Sequence, residues 1–385
     1  MGKPLFIIHF QPLELYPPVM NLADYISSLH QDSAVIIIST HCQNGLTPFS
    51  AKSKKIKIVR LGASGPAMPA VKRYLNYLYF YLGAFLLLLF RRPGVIIYYE
   101  TLSAYPAYLY KKYISGSIPL FIHYHEYTSP GEYAAGMKLV RYFHQKEKKL
   151  YPGAAWISHT NEGRMSRFLA DEGLVRGKNI QLLPNYPSEL WCLHANKSPV
   201  QAGQPLKIVY AGAVSMDTMY IEAFANWVKS KQGQLLWDIY SNNITAEAGA
   251  FFNQLQTPFI RLLHGVNYGE LAGILPNYQV GIILYNGHIP NYVLNAPNKL
   301  FEYLACGLDV WYPDVMTGCT PYNTTGTYPV VKPLDFLKLG SLQVEQLTNR
   351  DEYTHKVQGY FYEHIYAGLM QHVSIAIKNG ADIAA

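Results

Sequence analysis

Two short stretches hold residue types that could do chemistry. The first, NAPNKLFEYLACGLDVWYPD (Asn295–Asp314), sets Lys299 and Glu302 near the start of a short apolar helix pattern. Pro297 suits the first turn of a helix, where its missing N–H costs nothing, and Gly307 suits the stop just past the end. Such a helix start offers unpaired backbone N–H groups and the positive end of the dipole, a ready site for a diphosphate. A lysine in the first turn is disfavoured by the dipole alone, and makes sense when an anion arrives between them. Glu302, one turn in, is an acceptor-only group suited to a ribose diol. On an isolated helix the same two residues would be an exposed i,i+3 ion pair.

The second stretch, FIHYHEY (Phe121–Tyr127), is an apolar run with ionisable residues at its carboxyl end. Alternation puts His123 and His125 on one face and Tyr124 and Glu126 on the other, if the strand continues. A histidine here reads equally as a hydrogen-bonded core residue or as a group that handles protons. His9, Glu14, Glu100, Asn161, Glu162 and Arg164 occupy similar strand-end positions, and the sequence does not rank them.

The elements that must position these residues alternate. Short β-branched runs begin near Leu5, Ala34, Ile56, Val95, Leu120, Trp156 and Ile180, with helical patterns between them. This is the pattern of a parallel sheet covered by helices. A second series opens at LKIVYAGA (Leu206–Ala213) and continues through LLWDIYS, IRLLHG, VGIILY and LDVWYP. The segment between, rich in Pro, Ser, Asn and Gly, reads as a linker. The expected organisation is a Rossmann-like domain over 1–186, a linker over 187–204 and a second Rossmann-like domain over 205–350. One or two further helices over 351–385 would return to the first domain. At 385 residues, two doubly wound α/β domains suit the length better than one core.

Half the residues are apolar and 15% are charged, which fits a folded enzyme-like chain. The four cysteines are scattered with no CxxC, which argues against a disulfide framework or a zinc site and for a reducing compartment. The start, MGKPLFIIHF, lacks the features of a signal peptide and reads as a first buried strand. Charge is uneven. Residues 1–204 hold 22 Lys+Arg against 11 Asp+Glu, and residues 205–385 hold 10 against 14. The basic residues form no nucleic-acid-binding motif, so an anionic membrane surface is the expected partner and nucleic acid is not.

The run Tyr74–Phe90, YLNYLYFYLGAFLLLLF, has no charge and is bracketed by Lys72-Arg73 and Arg91-Arg92. It falls just short of the roughly 20 residues that cross a bilayer core. Strand patterns on both sides would be split across the membrane if it did cross. It reads as a crossover helix, either wholly buried or with an outer face on lipid headgroups.

The second series resembles a known pattern. LKIVYAGAV, then IRLLHGVNYGELAGILPNYQVGIILYN, then PNKLFEYLACGLDVW are similar in order and spacing to the nucleotide-binding domain of GT-B glycosyltransferases, most of all the family-4-like enzymes of bacterial surface-polysaccharide assembly. YPPVMNLADYI and FIHYHEY look like that family's acceptor-side domain. The resemblance implies two Rossmann-like domains facing across a cleft. It implies a metal-independent hexosyl transfer from a nucleoside-diphosphate sugar to a hydroxyl of a glycan or lipid-linked glycan, with no other cofactor. It places nucleotide-sugar contacts on Glu302, Lys299, Asn298, Gly212, Gly265 and Val266, with Glu302 on the ribose hydroxyls. His125 would reach the donor sugar and leaving group, and Glu126 would orient it or act as base on the acceptor hydroxyl. The expected location is cytoplasmic, peripheral at the inner face of the cell membrane. Two features depart from the family: Leu294 stands where many retaining relatives carry a first glutamate, and no cation follows the YAG turn. A nucleotide-sugar epimerase of the same fold and a non-catalytic GT-B binding protein are the alternatives.

Overall fold

A computed structural model describes residues 3–29, 33–42, 46–63, 69–195, 204–348, 354–356 and 359–382. The chain divides into two compact units, Met1–Asn185 with Tyr362–Ala385, and Tyr186–Phe361.

In the first unit the elements run β1 (Leu5–His9), α1 (Pro17–Ser28), β2 (Val35–Ser39), β3 (Ile56–Arg60), α2 (Ala70–Arg91), β4 (Val95–Tyr99), α3 (Thr101–Tyr113), β5 (Leu120–Tyr124), α4 (Pro130–Ala135), α5 (Lys138–Glu147), β6 (Trp156–His159), α6 (Glu162–Glu172) and β7 (Ile180–Leu182). The seven strands pair in parallel in the order β3-β2-β1-β4-β5-β6-β7. β1, β2, β4 and β5 are buried at every residue, as apolar runs covered on both faces must be. The strand order reverses between β1 and β4, the position at which doubly wound sheets open a crevice beyond their carboxyl ends. α2 is buried on one side only, through Tyr77, Phe80, Tyr81, Ala84 and Leu88.

The second unit holds β8 (Leu206–Ala211), α7 (Ile221–Ser230), β9 (Leu235–Ser241), α8 (Ala246–Leu255), β10 (Ile260–His264), α9 (Tyr268–Ile274), β11 (Val280–Ile282), α10 (Pro290–Val293), α11 (Asn298–Ala305), β12 (Asp309–Pro313), β13 (Thr327–Tyr328), β14 (Val331–Leu334), α12 (Val344–Thr348) and β15 (Thr354–His355). Six strands form a parallel sheet in the order β10-β9-β8-β11-β12-β14. Alternation along β8 divides two cores: Leu206, Ile208 and Tyr210 face one, and Val209 faces the other beneath α11. The last helix, α13 (Tyr362–Asp382), belongs to the first unit, where Tyr366 donates to the Pro18 carbonyl of α1 and His372 meets Trp156.

Several elements differ from the sequence expectation. β14 is an additional edge strand containing Pro333, which an edge tolerates because one side needs no ladder N–H. The expected helices from Glu352 begin only at Tyr362, because Thr354–His355 pairs with β13. Of the expected linker, residues 196–203 lie outside the described residues. Its first part forms a short 3-10 helix, Glu189–His194, whose Trp191 is buried in the second unit's core against Tyr268.

α11 is held to its sheet by an unusually close approach. The Tyr303 ring lies over Gly281 of β11, where an added Cβ would fall 2.0 Å from Cδ2 of the ring. The Tyr303 hydroxyl accepts from the Ala211 N–H at the end of β8, 3.2 Å away. Gly281→Ala therefore forces the ring out. It is expected to lower unfolding free energy by about 1–3 kcal/mol, the usual cost of overpacking, which denaturant titration of wild type and variant would measure.

Candidate functional site

In the second unit, Lys299 and Glu302 come together with the turn after β8. Gly212 there has φ 142°, and a Cβ on it would lie 2.8 Å from Lys299 Nζ. Only a glycine lets this ammonium sit against the turn. The Lys299 Nζ also stands 5.3 Å from the centre of the Tyr210 ring and 5.9 Å from that of Tyr285. Burial works against its charge, but Tyr210, Tyr285 and Glu302 outweigh it and raise the lysine's pKa, so it is a fixed cation. Pro297 is the N-cap of α11 rather than its first residue, and it supplies no side-chain cap. The first turn contains no acid. An uncapped positive helix end and a cation are thus placed side by side.

Glu302 is only 5% exposed. Its Oε1 has no hydrogen-bond partner among the described residues. Burial pushes its carboxyl up to about 7, while Lys299, Asn298 and Tyr268 hold it from rising further. Asn298 and Tyr268 are the groups that engage the carboxyl. Tyr268 opens α9, two residues past Val266, so the loop carrying Gly265 and Val266 adjoins Glu302 through it. Gly265 N donates to the Ser241 carbonyl, and a Cβ at Gly265 would lie 2.7 Å from Asn242 N, so this loop runs hard against the end of β9. Sequence reasoning missed Tyr268 and Tyr285, since a tyrosine beside a carboxylate carries no local signature in a chain with 33 of them.

In the first unit, a cavity of about 200 Å³ opens beyond β1 and β4, at the strand-order reversal. His9, Tyr16, Glu100, Thr101, Glu126 and Tyr133 are among its lining residues. β5 ends at Tyr124, so His125 lies in the following loop and not on a continued strand face. His123 is buried and bonded to Ser158 Oγ at 2.9 Å, a core histidine. The ring of His125 pairs with Asn185 Oδ1 through Nδ1 at 3.1 Å, and its carbonyl accepts from Arg164. Burial, and then the Arg164 charge, push its pKa down to about 3, so the ring is neutral at physiological pH. With Nδ1–H donating to Asn185, Nε2 is left as an acceptor.

Glu126 is exposed at the cavity rim, and the ring of His125 is held by Asn185 rather than by Glu126. The carboxylate that positions this loop is Glu100. Its Oε1 accepts from the N–H groups of His125 at 2.6 Å and Glu126 at 3.0 Å. Glu100 itself sits at φ 65° and ψ 157°, a region essentially reserved for glycine, at a cost of about 1–3 kcal/mol. Burial and the neighbouring Glu126 push its carboxyl up to about 8, against the pull of the two backbone donors. Among the described residues, no His, Cys, Asp and Glu side chains gather into a group that could hold a metal ion.

No protein-family model matches the sequence, and no curated protein matches it. Solved structures do resemble it. The chain aligns over 99% of its length with 98% of sucrose-phosphate synthase from Thermosynechococcus elongatus, at TM-score 0.66 and 13% identity. The lipopolysaccharide outer core galactosyltransferase WaaB in its apo form aligns over 95% of this chain and 99% of its own, at TM-score 0.61 and 12% identity. The chain has the GT-B fold. A UDP-N-acetylglucosamine 2-epimerase is also similar, with 97% of each chain covered, TM-score 0.59 and 12% identity. The GT-B fold at these identities accommodates more than one chemistry, and the side chains must choose between them.

Because its folded-state pKa is raised, Glu100 favours the native state most below the ordinary carboxyl range and loses that contribution as pH rises toward 8. Urea unfolding at pH 5 and pH 8 should show this loss in the wild type and a smaller one in Glu100→Gln. Glu100→Ala leaves two backbone donors unpaired and should cost about 1–3 kcal/mol at pH 5, and less at pH 8, where the wild type has lost the contribution of its protonated carboxyl.

Proposed function

We propose that the protein is a metal-independent glycosyltransferase that moves a sugar from a nucleoside-diphosphate donor to a hydroxyl of a lipid-linked bacterial surface glycan, at the inner face of the cell membrane. The observation that carries this reading is Glu302, a buried carboxyl with one unpartnered oxygen beside a fixed cation and an uncapped helix start. Leaving such an oxygen unpaired costs about 1–3 kcal/mol, which a vicinal diol donating to it would recover. A ribose does this, and its diphosphate then meets Lys299, the Gly212 turn and the first N–H groups of α11. A helix end and an ammonium already in place stabilise the charge that develops on the leaving diphosphate without reorganising. The sequence similarity to family-4-like transferases supports transfer over other chemistry.

In the transfer, an acceptor hydroxyl oxygen bonds to the anomeric carbon while the bond from that carbon to the diphosphate oxygen breaks, its electron pair leaving with the diphosphate. The acceptor's proton passes to a carboxylate, for which exposed Glu126 at the cavity rim is the candidate. His125, neutral and fixed by Asn185, accepts a hydrogen bond from a sugar hydroxyl through Nε2. Glu126→Gln should lower kcat by about 10²–10⁴-fold, the usual contribution of a positioned base, with nucleotide-sugar affinity unchanged in a binding titration.

A diol favours the ionised form of Glu302, so donor binding should draw its pKa below about 7 and release protons. Nucleotide sugars such as UDP-glucose and GDP-mannose have phosphates that do not titrate in this range. The sugar that binds should do so about tenfold more weakly at pH 6 than at pH 8, by calorimetry. Glu302→Gln should bind more weakly overall and lose the pH dependence. If no nucleotide sugar binds, the transferase reading fails. If one is converted to an epimer with no acceptor present, the protein is an epimerase.

A further inference from the structure

We infer that the face built by α2, α3 and α5 is a docking surface for an anionic lipid bilayer, on which the protein lies without crossing it. α2 is long and apolar enough to span a membrane, with no charge between Arg73 and Arg91. Its inner stripe nevertheless packs on the fold: Phe80 and Tyr77 meet Phe10 at ring-centre distances of 4.8 and 4.9 Å. The strands it connects, β3 and β4, belong to one sheet, so the helix runs along that sheet and cannot leave it for the bilayer interior. Its outer stripe is as apolar as the inner one. Leu75, Leu78, Leu82, Leu86 and Phe90 recur at helical spacing and are 61%, 62%, 54%, 38% and 76% exposed. A helix that is apolar all round belongs in a core or against lipid, and here half of it has no protein cover.

The neighbouring helices extend the surface. Tyr81 of α2 meets Tyr105 of α3 and Phe143 of α5, which meet each other, so the three helices lie side by side. Tyr113 and Ile114 at the end of α3, and Tyr142 on α5, are exposed. Lys72, Arg91, Lys112, Lys138 and Arg141 are exposed on the same helices. α2 and α3 contain no acidic residue, and the one acid of α5, Glu147, is fully buried. On these three helices the exposed leucines and tyrosines stand with cations and no exposed acid, which is what an interfacial helix layer presents to anionic headgroups; the exposed Glu132 belongs to the adjoining α4. A second copy is the poorer fit, because a two-fold interface would set this cationic patch against itself.

The inference deepens the proposed function, since an enzyme resting on a bilayer meets a lipid-linked acceptor in the membrane plane, but vesicle binding needs no catalysis. The test is co-sedimentation of the full chain with phosphatidylcholine vesicles, with and without phosphatidylglycerol. The wild type should pellet with the anionic vesicles and much less with the neutral ones. Leu75→Ser/Leu78→Ser/Leu82→Ser should weaken binding at least about tenfold, given the apolar area withdrawn. Lys72→Gln/Arg91→Gln/Lys112→Gln should weaken it about fivefold per charge and reduce its salt sensitivity. Both variants should keep the wild-type melting temperature, which separates lost docking from lost folding. Wild type that stays in the supernatant, or variants that bind as well as wild type, would overturn the inference. So would a leucine variant that turns a wild-type dimer into a monomer with vesicle binding unchanged, which would make this face a contact between copies. Vesicle binding by a protein that takes up no nucleotide sugar would sink the proposed function and leave this surface standing.

Discussion

The candidate donor site depends on how closely one aromatic ring approaches one strand. With Tyr303 seated over Gly281 and its hydroxyl on the Ala211 N–H, α11 cannot slide along the sheet. That single placement brings Lys299 against the Gly212 turn and carries Glu302 out of water. The two effects are linked, because the helix that buries the carboxylate also supplies the cation that tempers its pKa. The result is a small region with a fixed positive charge and one unpaired buried acceptor. Under the proposed function, a nucleoside diphosphate would bring two anionic phosphates and a pair of adjacent hydroxyl donors to these groups.

The first unit uses a carboxylate differently. Glu100 holds an unfavourable backbone conformation, and its side chain gathers the two N–H groups of the loop that presents His125 and Glu126. Strain at one strand end thus sets the geometry at the next, with Asn185 and Arg164 completing the hold on His125. Glu100 follows β4 at the point where the strand order reverses, His125 and Glu126 follow the adjacent β5, and Arg164 and Asn185 come from beyond β6 and β7. The topology concentrates polar loop residues there, and the central strands behind them, β1, β4 and β5, are buried throughout. The same unit turns a different face outward at α2, where apolar side chains remain uncovered.

Much of this was legible in the sequence. Short continuous apolar runs such as LFIIH and VIIYY read as strands buried on both faces, and their alternation with helical patterns implies parallel sheets. Lys299 and Glu302 stood out because a cation in a first turn and an acid one turn on are odd on an apolar helix. Gly212 was legible as a turn. β14 was not, because Pro333 breaks the strand signal and only its place at a sheet edge makes it tolerable. Nor was the place of Glu189–His194, since Trp191 reads as one more residue in a polar stretch until it is seen in a core.

The sequence by itself determined the fold class, the order of the strands through β12 and the helix that carries Lys299 and Glu302, because local periodicity and terminal residues are properties of neighbours along the chain. Tertiary structure alone decided that Glu302 is buried with an unpaired oxygen, and that Glu100, one of several equivalent strand-end acids, positions His125. It also decided that only half of α2 is covered. Burial, hydrogen-bond satisfaction and pKa depend on groups brought together from distant parts of the chain, and no window of sequence contains them.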